Sequence, residues 1–150
     1  MLKQQIDKDI KEALLSKDQF TVSTLRGLKS AILYEEVSLN KRDDGLDDEA
    51  IISVISKESK KRTESADLYK KGGNEQMADK ELKEKTLLSK YLPEQLGDDK
   101  IQEIVDEVMN SMQDVTIKDM GKIIGLVKSK TGSAADGSKI SEIVKNRINS

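Results

Sequence analysis

The sequence predicts an all-α protein, and three features of its composition support that prediction. Aromatic residues make up only 3% of the 150 residues, so a core must be built from aliphatic side chains and methionine. There is a single proline, whereas sheet-rich chains use turn prolines and runs of β-branched or aromatic residues. Apolar residues recur every three or four positions along most of the chain, which is the spacing of one helical face.

Residues 1–93 predict an N-terminal domain of four helices. A polar stretch, NKRDDGLDD, separates the first two helices from a third that runs from about Asp47 to Lys71. Gly72-Gly73 ends the third helix, and residues 74–92 form a fourth helix antiparallel to it, which Pro93 terminates. The apolar stripes of the first two helices are Leu2, Ile6, Ile10, Ala13 and Leu14, then Val22, Leu25, Leu28, Ile32, Leu33 and Val37.

Residues 97–150 predict a small C-terminal domain of three helices, which follows the linker PEQLGDD. Thr116 and Asp119 fit a capping box before the second of these helices, and Asp136 or Ser138 caps the last. The apolar stripes are Ile101, Ile104, Val105, Val108 and Met112, then Met120, Ile123, Ile124 and Val127, then Ile140, Ile143, Val144 and Ile148.

The absence of cysteine and histidine limits the chemistry available to the chain. Thiol nucleophiles, Ser-His-Asp and Cys-His arrangements and zinc sites made of Cys or His are excluded. No side chain has an unperturbed pKa near 7, so the sequence favours a non-catalytic protein with no metal or cofactor. The lack of disulfides, of a membrane-length apolar run and of a signal-like N-terminus predicts a cytoplasmic protein with no membrane association.

Charge is distributed unevenly along the chain, although its net value is only −2. Residues 98–117 hold one lysine against six acids, and residues 118–150 hold seven lysines or arginines against three acids. Such runs are most often solvated helix faces, but a basic segment also attracts polyanions. The segment MGKIIGLVKSKTGSAADGSK, residues 120–139, is not a P-loop, because Ser129 stands where the second glycine is required.

Several motifs, taken together and in order, resemble the GatB/YqeY family. They are STLRGLKSAI followed by EE, then VISKESKKRTES, KYLPEQL, DMGKIIG and ADGSKISEIV. The resemblance implies an all-helical protein related to the tRNA-holding tail of the B subunit of aspartyl/glutamyl-tRNA amidotransferase. It also implies that a carbon–nitrogen ligase label, with glutamine as amido-N-donor, attaches to the family by kinship with that enzyme. The family usually carries a basic residue immediately before ADG, where this chain has Ala134.

The leading functional hypothesis is a non-catalytic helical module that associates with tRNA. A protein of the tRNA-aminoacylation machinery is the second expected partner. Phosphate contacts are predicted for five lysines, with two glycines permitting close approach and the last helix's N-terminus offering free N–H groups: Lys122, Lys128, Lys130, Lys139, Lys145, Gly121 and Gly137. The alternative is a protein-interaction adaptor that uses the helical hairpin of residues 47–92. The third hypothesis is an enzyme, either an amidotransferase accessory with latent activity or one of an unrecognised kind.

Overall fold

The computed structural model describes residues 1–149, and over that range the chain is helical with no β-strand, which confirms the predicted all-α class. Its α-helices are α1 (Leu2–Leu15), α2 (Gln19–Ser38), α3 (Asp48–Lys71), α4 (Glu75–Ser89), α5 (Asp98–Asn110), α6 (Met120–Thr131) and α7 (Gly137–Asn149). One turn of 3₁₀ helix precedes α6 and another follows it.

The chain divides into two compact units, Met1–Leu92 and Pro93–Ser150, hereafter unit 1 and unit 2. Unit 1 contains α1 to α4, and its most extensive helix pairing is between α3 and α4. Each fully buried aliphatic side chain contributes roughly 1.5–3 kcal/mol. The buried cluster of unit 1 is formed by Ile6, Ile10, Leu25, Leu28, Ile32, Leu46, Ile51, Val54, Ile55, Leu88 and Tyr91.

Side-chain caps begin three of the four helices of unit 1. Asp18, Asp47 and Asn74 each accept a hydrogen bond from the backbone N–H three residues further on, at 3.1, 2.8 and 3.1 Å. Each cap satisfies an N–H that has no partner within its helix. The acidic start predicted for the third helix is therefore confirmed at Asp47.

Unit 2 packs α5, α6 and α7 around a second cluster of Ile101, Val105, Val108, Ile123, Val127, Ala135, Ile140 and Val144. The predicted capping box before α6 is present, because the N–H of Thr116 donates to Asp119 Oδ2 at 3.0 Å. At the other end of α6, Gly132 has a φ of +56°, a conformation that L side chains rarely adopt. Local sequence thus sets both ends of the helix that carries three of the predicted site lysines.

Two details of unit 1 differ from the sequence predictions. The fourth helix ends at Ser89 and not at Leu92, because the N–H groups of Tyr91 and Leu92 bond to carbonyls three residues back and tighten the last turn. Leu33 and Val37, predicted to be buried, are 46% and 53% exposed, and Leu14, predicted in the apolar stripe of the first helix, is 44% exposed. Leu33 and Val37 lie beside the stripe that contains Leu28 and Ile32, outside the part of α2 that is buried.

Candidate nucleic-acid interface

Helix α6 presents its predicted site residues outward because Ile123 and Val127 are turned into the core of unit 2. Lys122 and Lys128 are exposed, and Lys130 lies in the last turn, where a cation interacts favourably with the helix dipole. A Cβ added to Gly121 would meet no atom within 4 Å. Gly121 therefore faces open space, and nothing in unit 2 requires a glycine there.

Helix α7 carries the other predicted cations, and Ile140 and Val144 anchor it in the core. Lys145 is exposed, and Lys139 is half-buried. Gly137, the first residue of α7, lies against Lys128: a Cβ added there would sit 3.1 Å from both Cε and Nζ of that lysine. The glycine thus makes room for the Lys128 ammonium group beside the start of α7.

The acidic helix α5 neutralises part of the basic segment. Lys130 Nζ lies 3.3 Å from Glu107 Oε1, and Lys139 Nζ lies 3.3 Å from Asp98 Oδ2. Arg147, which was not among the predicted site residues, donates to Asp106 Oδ1 at 2.8 Å. The uneven charge of the sequence is therefore partly explained within unit 2, because acids of residues 98–117 meet bases of residues 118–150.

The pKa of Asp106 reflects this pairing. The hydrogen bond from Arg147 holds it below the usual value, burial opposes the shift, and a further hydrogen bond from Gln102 supports it. The carboxylate is consequently charged at neutral pH and remains paired with Arg147.

Three of the five predicted lysines form no ion pair with residues 1–149. Lys122, Lys128 and Lys145 make no side-chain hydrogen bond or ion pair with any residue of 1–149. All three are exposed, and they lie on the two helices that carry the predicted motif. They are the cations of the candidate interface that can contact a phosphate without first leaving a partner.

The N-terminus of α7 is less open to an anion than the sequence predicts. Asp136 Oδ1 accepts a hydrogen bond from the N–H of Ser138 at 3.2 Å. This carboxylate occupies the helix-terminal position that a phosphate would otherwise take, and its charge repels one. Asp136 is therefore the cap of the last helix, one of the two alternatives that the sequence left open.

Sequence reasoning missed a buried carboxylate in unit 1. Glu36, only 1% exposed, accepts hydrogen bonds from Lys3 Nζ at 2.9 Å and from the N–H of Leu46 at 3.0 Å. The lysine bond holds the pKa of Glu36 below its usual value, against the effect of burial. Its neighbour Glu35 points elsewhere, as expected for consecutive helix positions, so the two do not form an acid–base pair.

A second buried carboxylate of unit 1 is Asp9 in α1. Asp9, 7% exposed, accepts hydrogen bonds from the Tyr91 hydroxyl and from Gln5 Nε2, and Lys90 Nζ lies 3.4 Å away. Burial alone would raise the pKa of Asp9, but the bonds from Tyr91 and Gln5 and the charge of Lys90 outweigh it and lower the pKa. Burial and the adjacent carboxylate raise the pKa of Tyr91 above its ordinary value.

These buried groups connect separate segments of unit 1. Every polar contact of Glu36 and Asp9 goes to a residue of unit 1. Among residues 1–149, no group of three or more acidic side chains is arranged to hold a metal ion, and no helix is long and apolar enough to cross a membrane.

Comparison with known proteins places nearly the whole chain in one family. The family model described as Yqey-like protein matches residues 3–148. A protein of Vanderwaltozyma polyspora, named altered inheritance of mitochondria protein 41, mitochondrial, is 28% identical over 122 residues, which cover 77% of this chain and 64% of the relative. The protein of the same name from Lachancea thermotolerans is 28% identical over 123 residues, covering 78% and 65%.

A third relative of that name, from Eremothecium gossypii, is 33% identical over 87 residues, which cover 58% of this chain and 46% of the relative. The chain thus spans less than two thirds of the length of these curated relatives.

The comparison contradicts the predicted cytoplasmic location, because the relatives are named as mitochondrial proteins. The features that suggested it were an absence of cysteine and of a signal-like start. Neither feature distinguishes one reducing compartment from another, so neither carried information about an organelle.

Proposed function

Because this chain belongs to the YqeY-like family, we propose that it associates with tRNA through unit 2 and catalyses no reaction on the RNA. The kinship of the family with the tRNA-holding tail of an amidotransferase subunit motivates the choice of tRNA. The observation that supports it most is the set of three exposed lysines, Lys122, Lys128 and Lys145, that have no ion-pair partner within residues 1–149. Such cations contact phosphates and position a nucleic acid without reading its bases.

Lys130 and Lys139 belong to the proposed interface as a second group. Their pairs with Glu107 and Asp98 are exposed on both sides, and exposed pairs of this kind contribute about 0.2–1 kcal/mol each. A phosphate can therefore replace either carboxylate at small expense in stability. Gly137 contributes by leaving space for the Lys128 side chain, and Gly121 leaves the outer face of α6 open.

We also propose that the two units act as two domains, a four-helix N-terminal domain over residues 1–93 and a three-helix C-terminal domain over residues 97–150. A protein of the tRNA-aminoacylation machinery as partner, and an adaptor role for the hairpin of residues 47–92, remain predictions.

Filter binding to bulk tRNA at about 50 mM and about 200 mM salt tests the RNA proposal, because release of counterions makes phosphate contacts salt-dependent. With three to five contacts we expect a dissociation constant on the order of 10⁻⁴–10⁻⁶ M and roughly a tenfold or greater loss between these salts. The triple variant Lys122→Ala, Lys128→Ala, Lys145→Ala should lower the slope of log K against log salt by about 3.

The matched control is the triple variant Lys8→Ala, Lys11→Ala, Lys80→Ala, which removes the same charge from exposed, unpaired positions of unit 1. It should bind tRNA almost as the parent chain does. The proposal is rejected if no complex forms at the lower salt, or if the control weakens binding as much as the unit 2 triple.

A further inference from the structure

A groove between α2 and α3 is a feature of unit 1 that the tRNA proposal does not use. Its volume is about 360 Å³, and Ala31, Tyr34 and Glu35 of α2 line one wall. The opposite wall is formed by α3, through Val54, Lys57, Glu58 and Lys61. Tyr34 is 76% exposed, and Leu33 and Val37 of the same helix are 46% and 53% exposed. An exposed tyrosine at a groove edge is the kind of side chain that anchors protein interfaces.

The two walls of the groove carry unpaired charges of opposite sign. Glu35 on α2 and Lys57 on α3 make no side-chain hydrogen bond or ion pair with any residue of 1–149. The other charged lining residues are already satisfied, because Glu58 pairs with Lys61 at 3.3 Å and with Arg62 at 2.9 Å. Each wall thus offers one charge to an occupant, an acid on α2 and a base on α3.

This pattern disfavours a nucleic acid in the groove. Glu35 and Glu58 would both lie close to any phosphate that approached Lys57. The occupant has to present a base toward α2 and an acid toward α3, together with an apolar group that covers Tyr34. Those requirements describe a protein surface with the same arrangement of charges as the groove itself.

We propose that the groove is the self-association surface of this protein and that its occupant is a second copy of the chain. A two-fold axis along the groove places α2 of each copy over α3 of the other. Lys57 then meets the second copy's Glu35, and symmetry repeats the pair, so both unused charges of each copy are satisfied. The two Tyr34 rings cover the apolar floor formed by Ala31 and Val54.

Sedimentation equilibrium of the full chain, from about 10 μM to about 1 mM at low salt, tests the proposal. The parent chain should show a monomer–dimer equilibrium. Lys57→Glu and Glu35→Lys each place like charges opposite one another, so each should weaken dimerisation at least about tenfold. The double variant Glu35→Lys, Lys57→Glu exchanges the two charges and should restore the dimer.

Mixing the two single variants supplies a second readout. The Glu35→Lys variant carries lysine at both positions, and the Lys57→Glu variant carries glutamate at both. A heterodimer should therefore form, although neither variant dimerises alone. Lys60→Glu is the matched control, because Lys60 is exposed and unpaired on α3 but does not line the groove. It should dimerise as the parent chain does.

The proposal is overturned if the parent chain stays monomeric at the highest concentration. It is equally overturned if Lys57→Glu dimerises normally, if Lys60→Glu is as disruptive as Lys57→Glu, or if the double variant fails to recover. Circular dichroism of each variant checks that the helices are intact. Binding of tRNA by unit 2 is measured separately and involves none of these residues, so the two proposals fail independently.

Discussion

Unit 1 and unit 2 place their charged residues in different environments. In unit 1 two carboxylates lie in the interior, Glu36 at 1% and Asp9 at 7% exposure, and each is held by several donors. In unit 2 the pairs made by Lys130, Lys139 and Arg147 leave each participating side chain at least 41% exposed. Both units contain ion pairs between distant residues, and within residues 1–149 the carboxylates that are removed from water belong to unit 1.

The difference predicts which charges stabilise the fold and which remain available for binding. Removing the partner of a buried charge leaves that charge uncompensated in a medium that solvates it poorly, which is strongly destabilising. Removing the partner of an exposed charge leaves that charge in water, so the protein loses little stability. The polar groups of unit 1 therefore belong to its architecture, while the cations of unit 2 can exchange their partners for phosphate.

The largest effect is expected from Lys3→Met, which takes the ammonium group away from the buried Glu36 carboxylate. Unit 1 should lose about 3 kcal/mol of stability, because Glu36 then keeps only the bond from the Leu46 N–H. Urea unfolding followed by tyrosine fluorescence measures this, since all three tyrosines lie in unit 1 and the chain has no tryptophan.

Lys29→Met is its control. Lys29 pairs with Asp7 in an ion pair that is exposed on both sides. The Lys29→Met variant should therefore lose no more than about 1 kcal/mol of the stability of unit 1. Equal losses for the two variants would contradict the distinction between buried and exposed pairs.

An intermediate effect is expected from Tyr91→Phe, which removes one donor from Asp9 and should destabilise unit 1 by about 2 kcal/mol at neutral pH. Asp9 has a lowered pKa in the folded chain, so its stabilisation is present above the unfolded value near 3.8 and is lost as pH falls through the folded value. Because the variant lacks part of that shift, its deficit relative to the parent should shrink below pH 3.8.

Urea titrations at neutral pH and below pH 3.8 measure the change in this deficit. Tyr34→Phe serves as control, because the Tyr34 hydroxyl makes no hydrogen bond to any residue of 1–149 and its side chain is 76% exposed. A deficit that stays constant with pH would show that Tyr91 acts through packing and not through Asp9.

The smallest effect on stability is expected from Asp98→Asn, which releases Lys139 from its exposed pair in unit 2. We expect a stability change below about 1 kcal/mol. Binding of tRNA should nevertheless strengthen, because Lys139 no longer has to leave a carboxylate before it contacts phosphate. Asp99→Asn makes the same charge change at a neighbouring residue that forms no ion pair with residues 1–149, and it should strengthen tRNA binding less than Asp98→Asn does.

Helix positions in this protein follow closely from the sequence, and particular residues show why. Asp47 caps α3, and Thr116 with Asp119 forms a capping box on the 3₁₀ turn that precedes α6, because a capping side chain reaches an N–H within three residues. Ile123, Val127, Ile140 and Val144 are buried as their spacing predicts. Leu33 and Val37 show where apolar spacing fails, since an apolar residue beside a buried stripe is not always buried itself.

The candidate interface could be predicted only in part. The basic segment of residues 118–150 and its motifs predict the five lysines and two glycines, but pattern alone does not show that Lys130 and Lys139 reach across to Glu107 and Asp98. Nor does it show that Asp136 occupies the N-terminus of α7 in place of an anion.

Composition and apolar spacing were sufficient to predict the all-helical class and the approximate helix bounds, because those depend on neighbours within one or two turns. Which charges meet depended on the packing of whole helices. Glu36 and Lys3 are 33 residues apart, Asp9 and Tyr91 are 82 apart, and Asp106 and Arg147 are 41 apart. Such partners are brought together only when the apolar faces of separate helices have been buried against one another, and no local pattern records that outcome.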